Sequence, residues 1–225
     1  LELSAAELNQ MTAGVLEIGS ANTGAISVTA AIAPANTTTV HLITGATGTS
    51  VSQSAGSTIT ETNLVIEADG AVTLNEDNDV DVLAVDVSDT GEISFTDADG
   101  LTVGTVDGVS GLDANAGNVT VTTGSGGGAS TGLQVSQNIV ADSGGAGTST
   151  VSLSGTVADE AFVLDDNTSI NSNDGKITLT FDNFDIGTTG TSIHTTNANT
   201  IEIGTVNSGT QFSLGDAGAN AADNV

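Results

Sequence analysis

The chain has 225 residues and a formal charge of −27, from 28 acidic residues against a single lysine, Lys176. Nucleic acid and anionic membrane surfaces are recognised through basic footprints, so both are excluded as direct partners. Aromatic residues make up only 2% of the chain and there is no Trp, Tyr or Cys, which excludes a wide aromatic core and a disulfide framework.

The first element is helical. Ser4-Ala5-Ala6-Glu7 has the form of a capping box, in which the serine hydroxyl takes the third helical amide and the glutamate returns to the serine amide. Leu8 and Met11 then share one face, which predicts a short helix over 5–12. Beyond it the chain repeats one unit, a β-branched run followed by a turn of Gly, Asn, Asp, Ser or Ala. Strands are predicted near 15–18, 25–28, 40–43, 63–67, 71–74, 80–87, 92–96, 101–106, 118–123, 133–136, 150–154, 161–164, 176–181, 192–195, 200–206 and 211–214. Val80-Asp81-Val82-Leu83-Ala84-Val85-Asp86-Val87 and Lys176-Ile177-Thr178-Leu179-Thr180-Phe181 alternate apolar with polar, as a strand does with one face buried and one wetted.

Leu16-Glu17-Ile18-Gly19-Ser20-Ala21-Asn22-Thr23-Gly24 is echoed by Ile201-Glu202-Ile203-Gly204-Thr205-Val206-Asn207-Ser208-Gly209, and more loosely by Leu101–Gly108. Glycine and Asn/Asp tolerate the left-handed backbone of tight corners. Two all-β architectures compete. Asp69-Gly70, Asp99-Gly100, Asp107-Gly108 and Asp174-Gly175 are hairpin-type turn signals and favour an antiparallel sandwich. A parallel β-helix, or β-solenoid, accounts together for the small-residue corners, the Val/Ile/Thr bias and a thin core, and is the architecture expected. At about 20–25 residues per coil the chain would make roughly nine or ten rungs, and at ~4.8 Å per rung a rod of ~45 Å. Residues 1–225 then form a single solenoid segment. The start at Leu1, and the echo at opposite ends of the chain, suggest one period of a larger tandem or end-to-end stacked array.

Leu3–Gly14 leading into Leu16-Glu17-Ile18-Gly19, Asn63–Leu74, Phe95–Val106 and Gly117–Thr123 together resemble the filamentous-haemagglutinin-like large exoproteins and autotransporter passengers of Gram-negative bacteria. The resemblance implies a right-handed parallel β-helix, secretion to the cell surface, and a role in adhesion or surface structure. The acidity of this chain departs from the family's pattern. The absence of cysteine fits a secreted bacterial protein. No apolar run approaches the ~20 residues that cross a bilayer, so direct membrane insertion is not expected.

Little in the chain points to catalysis. His41 and His194 lie within strand patterns and are expected to point outward; neither has the local context of a Ser/His/Asp triad. β-Helices also host polysaccharide-acting enzymes, but this chain lacks the Arg, Trp and Tyr that grip and stack on sugars. The acidic runs offer hard oxygen ligands suited to calcium: Glu76, Asp77 and Asp79; Asp97 and Asp99; Asp165 and Asp166; and Asp174. Neither EF-hand spacing nor the Gly-Gly-x-Gly-x-Asp nonapeptide is present, and Asp and Asn also serve simply as turn formers. Thr120-Val121-Thr122 and Thr178-Leu179-Thr180 would form a flat ice-binding ladder if stacked in register, but such pairs are few and scattered, and outward β-propensity accounts for them.

The function expected is that of an extracellular structural protein, a surface filament, sheath or adhesin stalk whose partners are copies of itself end to end. The alternative is a carbohydrate- or host-binding adhesin module reading its target through loops around 124–131 or 141–148. A polysaccharide-acting enzyme comes third.

Overall fold

The computed structural model describes residues 2–124, 131–143, 148–196 and 199–209; the strand expected at 211–214 lies outside them. The chain is all-β, 50% strand and 2% helix, and its sheet is mostly parallel. Successive strands stack with like residues opposite like residues. One ladder runs through Val15–Gly19, Thr39–Ile43, Thr60–Ala68 and the second half of the long strand Val72–Val87. Another starts at Ile26–Val28 and Val51–Gln53 and enters the first part of Val72–Val87. It continues through Ile93–Asp97, Val119–Thr123, Val151–Gly155 and Ile177–Thr180 to Ile201–Gly204.

After Val72–Val87 the first ladder divides in two. Val82 and Leu83 pair with Thr102 and Val103, and that branch proceeds through Thr131–Val135 and Ala161–Leu164 to Asn183–Ile186. Val85–Val87 pair instead with Leu112–Ala114, followed by Ile139–Ala141, Ser169–Asn171 and Ser192–His194. Two ladders thus become three. Between the branches Thr105–Val106 and Val109–Ser110 fold back on one another, the one antiparallel pair among the described residues. Asp107 and Gly108 at its tip have φ of 46° and 92°, which is the doubly left-handed turn that Asp-Gly favours. Of the four Asp-Gly signals only this one makes a hairpin.

Alternation decides which side chains are inside. Val51, Val72, Ile93, Val119, Val151, Ile177 and Ile201 form one inward column. Leu74, Phe95, Val121, Leu153, Leu179 and Ile203 form a second beside it. Each fully buried Val, Leu or Ile contributes about 1.5–3 kcal/mol relative to an exposed one, so long columns of modest side chains supply what large aromatics supply elsewhere. Three of the few aromatics collect in one place: Phe162 lies 5.4 Å from Phe181 and 5.9 Å from Phe184, ring centre to ring centre.

Several sequence expectations are corrected. The helix is only Ala5–Leu8, because the Asn9 side chain accepts the Ala35 amide at 2.9 Å and its carbonyl accepts Asn36 Nδ2, drawing the chain out of the helix. The capping box itself is present, with Leu8 buried. Strands expected separately at 71–74 and 80–87 are one strand, Val72–Val87, that bends through a register shift between Leu74 and Asn78. The strand expected at 101–106 ends at Val103, where the hairpin insertion begins. Short strands at Val51–Gln53, Leu112–Ala114, Ile139–Ala141, Ser169–Asn171 and Asn183–Ile186 were not predicted. The chain returns to the same ladder after intervals that vary from 19 residues (Leu64 to Leu83) to 32 (Val119 to Val151), a wider range than 20–25, because loops and the hairpin are inserted between strands.

Candidate functional site

The eight acidic candidates are scattered along the stack. Among the described residues, no group of three or more His, Cys, Asp or Glu side chains is placed to hold a metal ion. Asp77 and Asp79 point outward from Val72–Val87, as period-two alternation requires. Glu76 accepts the Gly56 amide at 2.7 Å. Asp165 accepts Ser136 Oγ at 2.6 Å and Gln134 Nε2 at 3.0 Å, Asp166 accepts the Thr189 amide at 2.9 Å, and Asp174 accepts Thr196 Oγ1 at 2.9 Å. These carboxylates tie one step of the stack to the next.

Asp97 differs from the rest. It is turned inward and 1% exposed, with Oδ2 accepting the Val80 amide and Oδ1 the Asp99 amide, both at 3.1 Å. Burial pushes its carboxyl up to about 8, the two amides only partly opposing. Its neighbour in the ladder is Asn78, fully buried, whose Nδ2 donates to the carbonyls of Leu74, Glu76 and Thr96 while Oδ1 accepts the Ile59 amide and Gln53 Nε2. A polar spine therefore runs up this corner. The run Glu76–Asp81 hid it, because Asn78 reads there as one more surface residue among acids.

The outward face of the ladder that runs from Ile26–Val28 to Ile201–Gly204 carries a grid of hydroxyls. Ser27, Ser52, Thr73, Ser94, Thr120, Ser152 and Thr178 form one column in register. Thr96, Thr122, Ser154 and Thr180 form another two residues along. Strand geometry sets the columns about 6.8 Å apart and the steps about 4.8 Å apart. The Thr-x-Thr pairs thus do stack. Serines at intervening steps complete the columns, which a search for threonine pairs alone does not reveal.

His41 points outward from Thr39–Ile43 as expected, yet it is 4% exposed. The hairpin covers it, together with Val65 and Ala84 on the neighbouring strands, which pack with Val106, Val82 and Val109 in a second small apolar cluster. Its Nδ1 is 2.9 Å from Asp107 Oδ2 at the hairpin tip. Nε2 is 3.2 Å from Glu67 Oε1, within ion-pair reach but out of line for a hydrogen bond. A triad would place a hydroxyl where Glu67 stands. Glu67, Asp86 and Asp113 follow one another on adjacent strands of this face. Asp86 is exposed by area, yet the surrounding protein desolvates its carboxyl, and with the charges of Asp113 and Glu67 this holds its pKa above the ordinary carboxylate value. His194 is exposed, opposite Asn171.

An open cleft of about 440 Å³ is lined by Pro34, Thr60, Glu61, Asp79 and Asp81 among others. Glu61 is 8% exposed and accepts Thr37 Oγ1 at 2.6 Å and the Thr62 amide at 3.0 Å, so it braces the cleft wall. The loops expected to carry recognition, around 124–131 and 141–148, lie largely outside the described residues. Among the described residues no helix is long and apolar enough to cross a membrane. Compared with known proteins, the chain matches no family model, no curated protein and no solved structure.

Proposed function

We propose that the parallel ladders close into a right-handed β-solenoid and that the chain is an extracellular structural module of a surface filament, sheath or adhesin stalk. It associates end to end with copies of itself, in the manner implied by its resemblance to filamentous-haemagglutinin-like exoproteins. One observation carries the reading. The two inward columns of the ladder that starts at Ile26–Val28 arrive in register at Ile201–Gly204, where Ile201 and Ile203 remain 40% and 45% exposed. No strand pairs with the far edge of Ile201–Gly204 among the described residues. An open parallel edge beside exposed apolar side chains is a template for another strand. The acidic surface keeps such an assembly soluble and limits lateral association.

The test is the association state across protein, salt and calcium concentrations, by sedimentation and electron microscopy. Elongated, concentration-dependent particles are expected, and Ile203→Lys reduces them to monomer without loss of the β circular-dichroism spectrum. Monodisperse monomer under all conditions overturns the reading. The hydroxyl grid favours a second reading, a flat carbohydrate-binding face of an adhesin, since paired columns of donors and acceptors at fixed spacing match repeated sugar hydroxyls. A glycan array with the Thr120→Val/Thr122→Val variant separates the two: binding lost with the grid supports the second reading.

A further inference from the structure

Carboxylates approach His41 from three segments, with the apolar Val65 beside it on the fourth. Asp107 faces it from the hairpin and Glu67 from Thr60–Ala68, while Glu17 on Val15–Gly19 lies opposite it in the ladder. Asp86 and Asp113 extend the acidic row beyond Glu67. A neutral imidazole has one N–H to donate and one lone pair, whereas the imidazolium donates from both nitrogens. With carboxylate oxygens 2.9 Å from Nδ1 and 3.2 Å from Nε2, the neutral ring satisfies one and turns its lone pair toward the other. Removing the proton from this buried ring therefore turns a nitrogen lone pair toward a carboxylate oxygen, with Glu67 and Asp107 themselves partly open to solvent.

We propose that His41 is a proton-operated latch that holds the Thr105–Ser110 hairpin against the sheet. Protonated, the ring joins the hairpin tip at Asp107 to the sheet at Glu67. Deprotonated, the ring keeps a single N–H; held at Nδ1, it leaves Asp107 a neutral hydrogen bond in place of a charge-assisted one, and the hairpin rests on that weaker link and on its small apolar contact with Val65, Ala84 and Val82. That contact is only a few side chains, so the strength of the polar link sets how firmly the hairpin tip is held. Protonation of the ring tightens the latch, and its loss loosens the latch and exposes Val65, Ala84 and Val106. The hairpin sits where the ladder divides, so its opening frees a surface in the middle of the stack rather than at an end.

Amide hydrogen exchange across 105–111, corrected for the intrinsic effect of pH, tests this in the full chain. Lowering the pH from about 8 to about 5.5 raises protection there about tenfold in the wild type. The change is absent in His41→Gln. Asp107→Asn, which keeps a residue tolerant of the left-handed turn, gives an independent loss of the pH response should the core variant fold poorly. Protection that does not change with pH, or that changes equally in both variants, overturns the proposal. So does protection abolished by EDTA, which would assign the link to a bound cation instead of a proton.

Discussion

Asn78 and Asp97 face one another across a single step of the parallel ladder, both turned into the core, and between them they satisfy backbone groups from three segments of chain. Asn78 alone serves the Ile59 amide and three carbonyls. Asn78→Ala leaves those groups buried and unpaired and is expected to cost about 2–4 kcal/mol. Asn78→Asp at neutral pH is at least as damaging, because it turns a carboxylate oxygen toward carbonyls that now receive N–H donors. Urea denaturation of both variants checks the order. A smaller loss in Asn78→Asp than in Asn78→Ala would contradict the assigned orientation of the amide.

Asp97 gives the fold a pH dependence of definite sign. Its carboxyl is raised by burial to about 8 in the folded protein, against about 3.9 in an unfolded chain. Between those values the native state holds a proton that the unfolded state releases, so this group's contribution is complete below about pH 4 and is lost as the pH rises through about 8. The other carboxylates also ionise near pH 4, so the comparison must be with Asp97→Asn. The wild type should lose more thermal stability than the variant between pH 5 and pH 8.5. Parallel Tm profiles would show that Asp97 is not the source.

Gly111 closes the division between the two branches. Its φ is +78°, and a Cβ there would sit 2.1 Å from the Asn138 carbonyl oxygen. Gly111→Ala suffers both the left-handed strain and a backbone clash, and should cost at least about 2 kcal/mol. Gly108→Ala at the exposed hairpin tip has open space around the new methyl group and meets only the backbone strain. A larger loss at 108 than at 111 would count against close packing at the branch point.

Two substitutions of similar prominence should behave very differently. Phe162 is fully buried between Phe181 and Phe184, and Phe162→Ala should cost about 3–5 kcal/mol. Lys176, the one lysine, pairs with Glu202 on the next strand, with both side chains about half exposed. Lys176→Met is expected to change stability by less than about 1 kcal/mol, as exposed ion pairs generally do. Denaturant midpoints of the two variants provide the check.

Strand positions were legible wherever polar and apolar residues alternate without interruption, as at Ile177–Thr180 and Val119–Thr123. They were not legible at Val51–Gln53 or Ser169–Asn171, where three residues with a single inward aliphatic side chain fall below any local signal and pairing with neighbouring steps makes the strand. His41 could be placed on a strand but not beneath the hairpin, because that contact joins residues 66 positions apart. The repeated phrase recurs at unlike places in the fold. Its copies at Val15–Gly19 and Ile201–Gly204 lie in different ladders, and the one at Leu101–Val103 begins a branch. The phrase specifies a strand followed by a tight corner, and does not specify a place in the stack.

The strand Val72–Val87 belongs to both ladders at once, its first part paired with Ile93–Phe95 and its second with Thr60–Ala68, Leu101–Val103 and Leu112–Ala114. A simple stack of strands can fray from either end, step by step, because each step touches only its neighbours. Here a single segment clamps two faces together near the middle, so neither can peel past it without the other giving way. Under tension or in denaturant the early steps and the late ones should fray independently, and the central clamp should yield last and all at once.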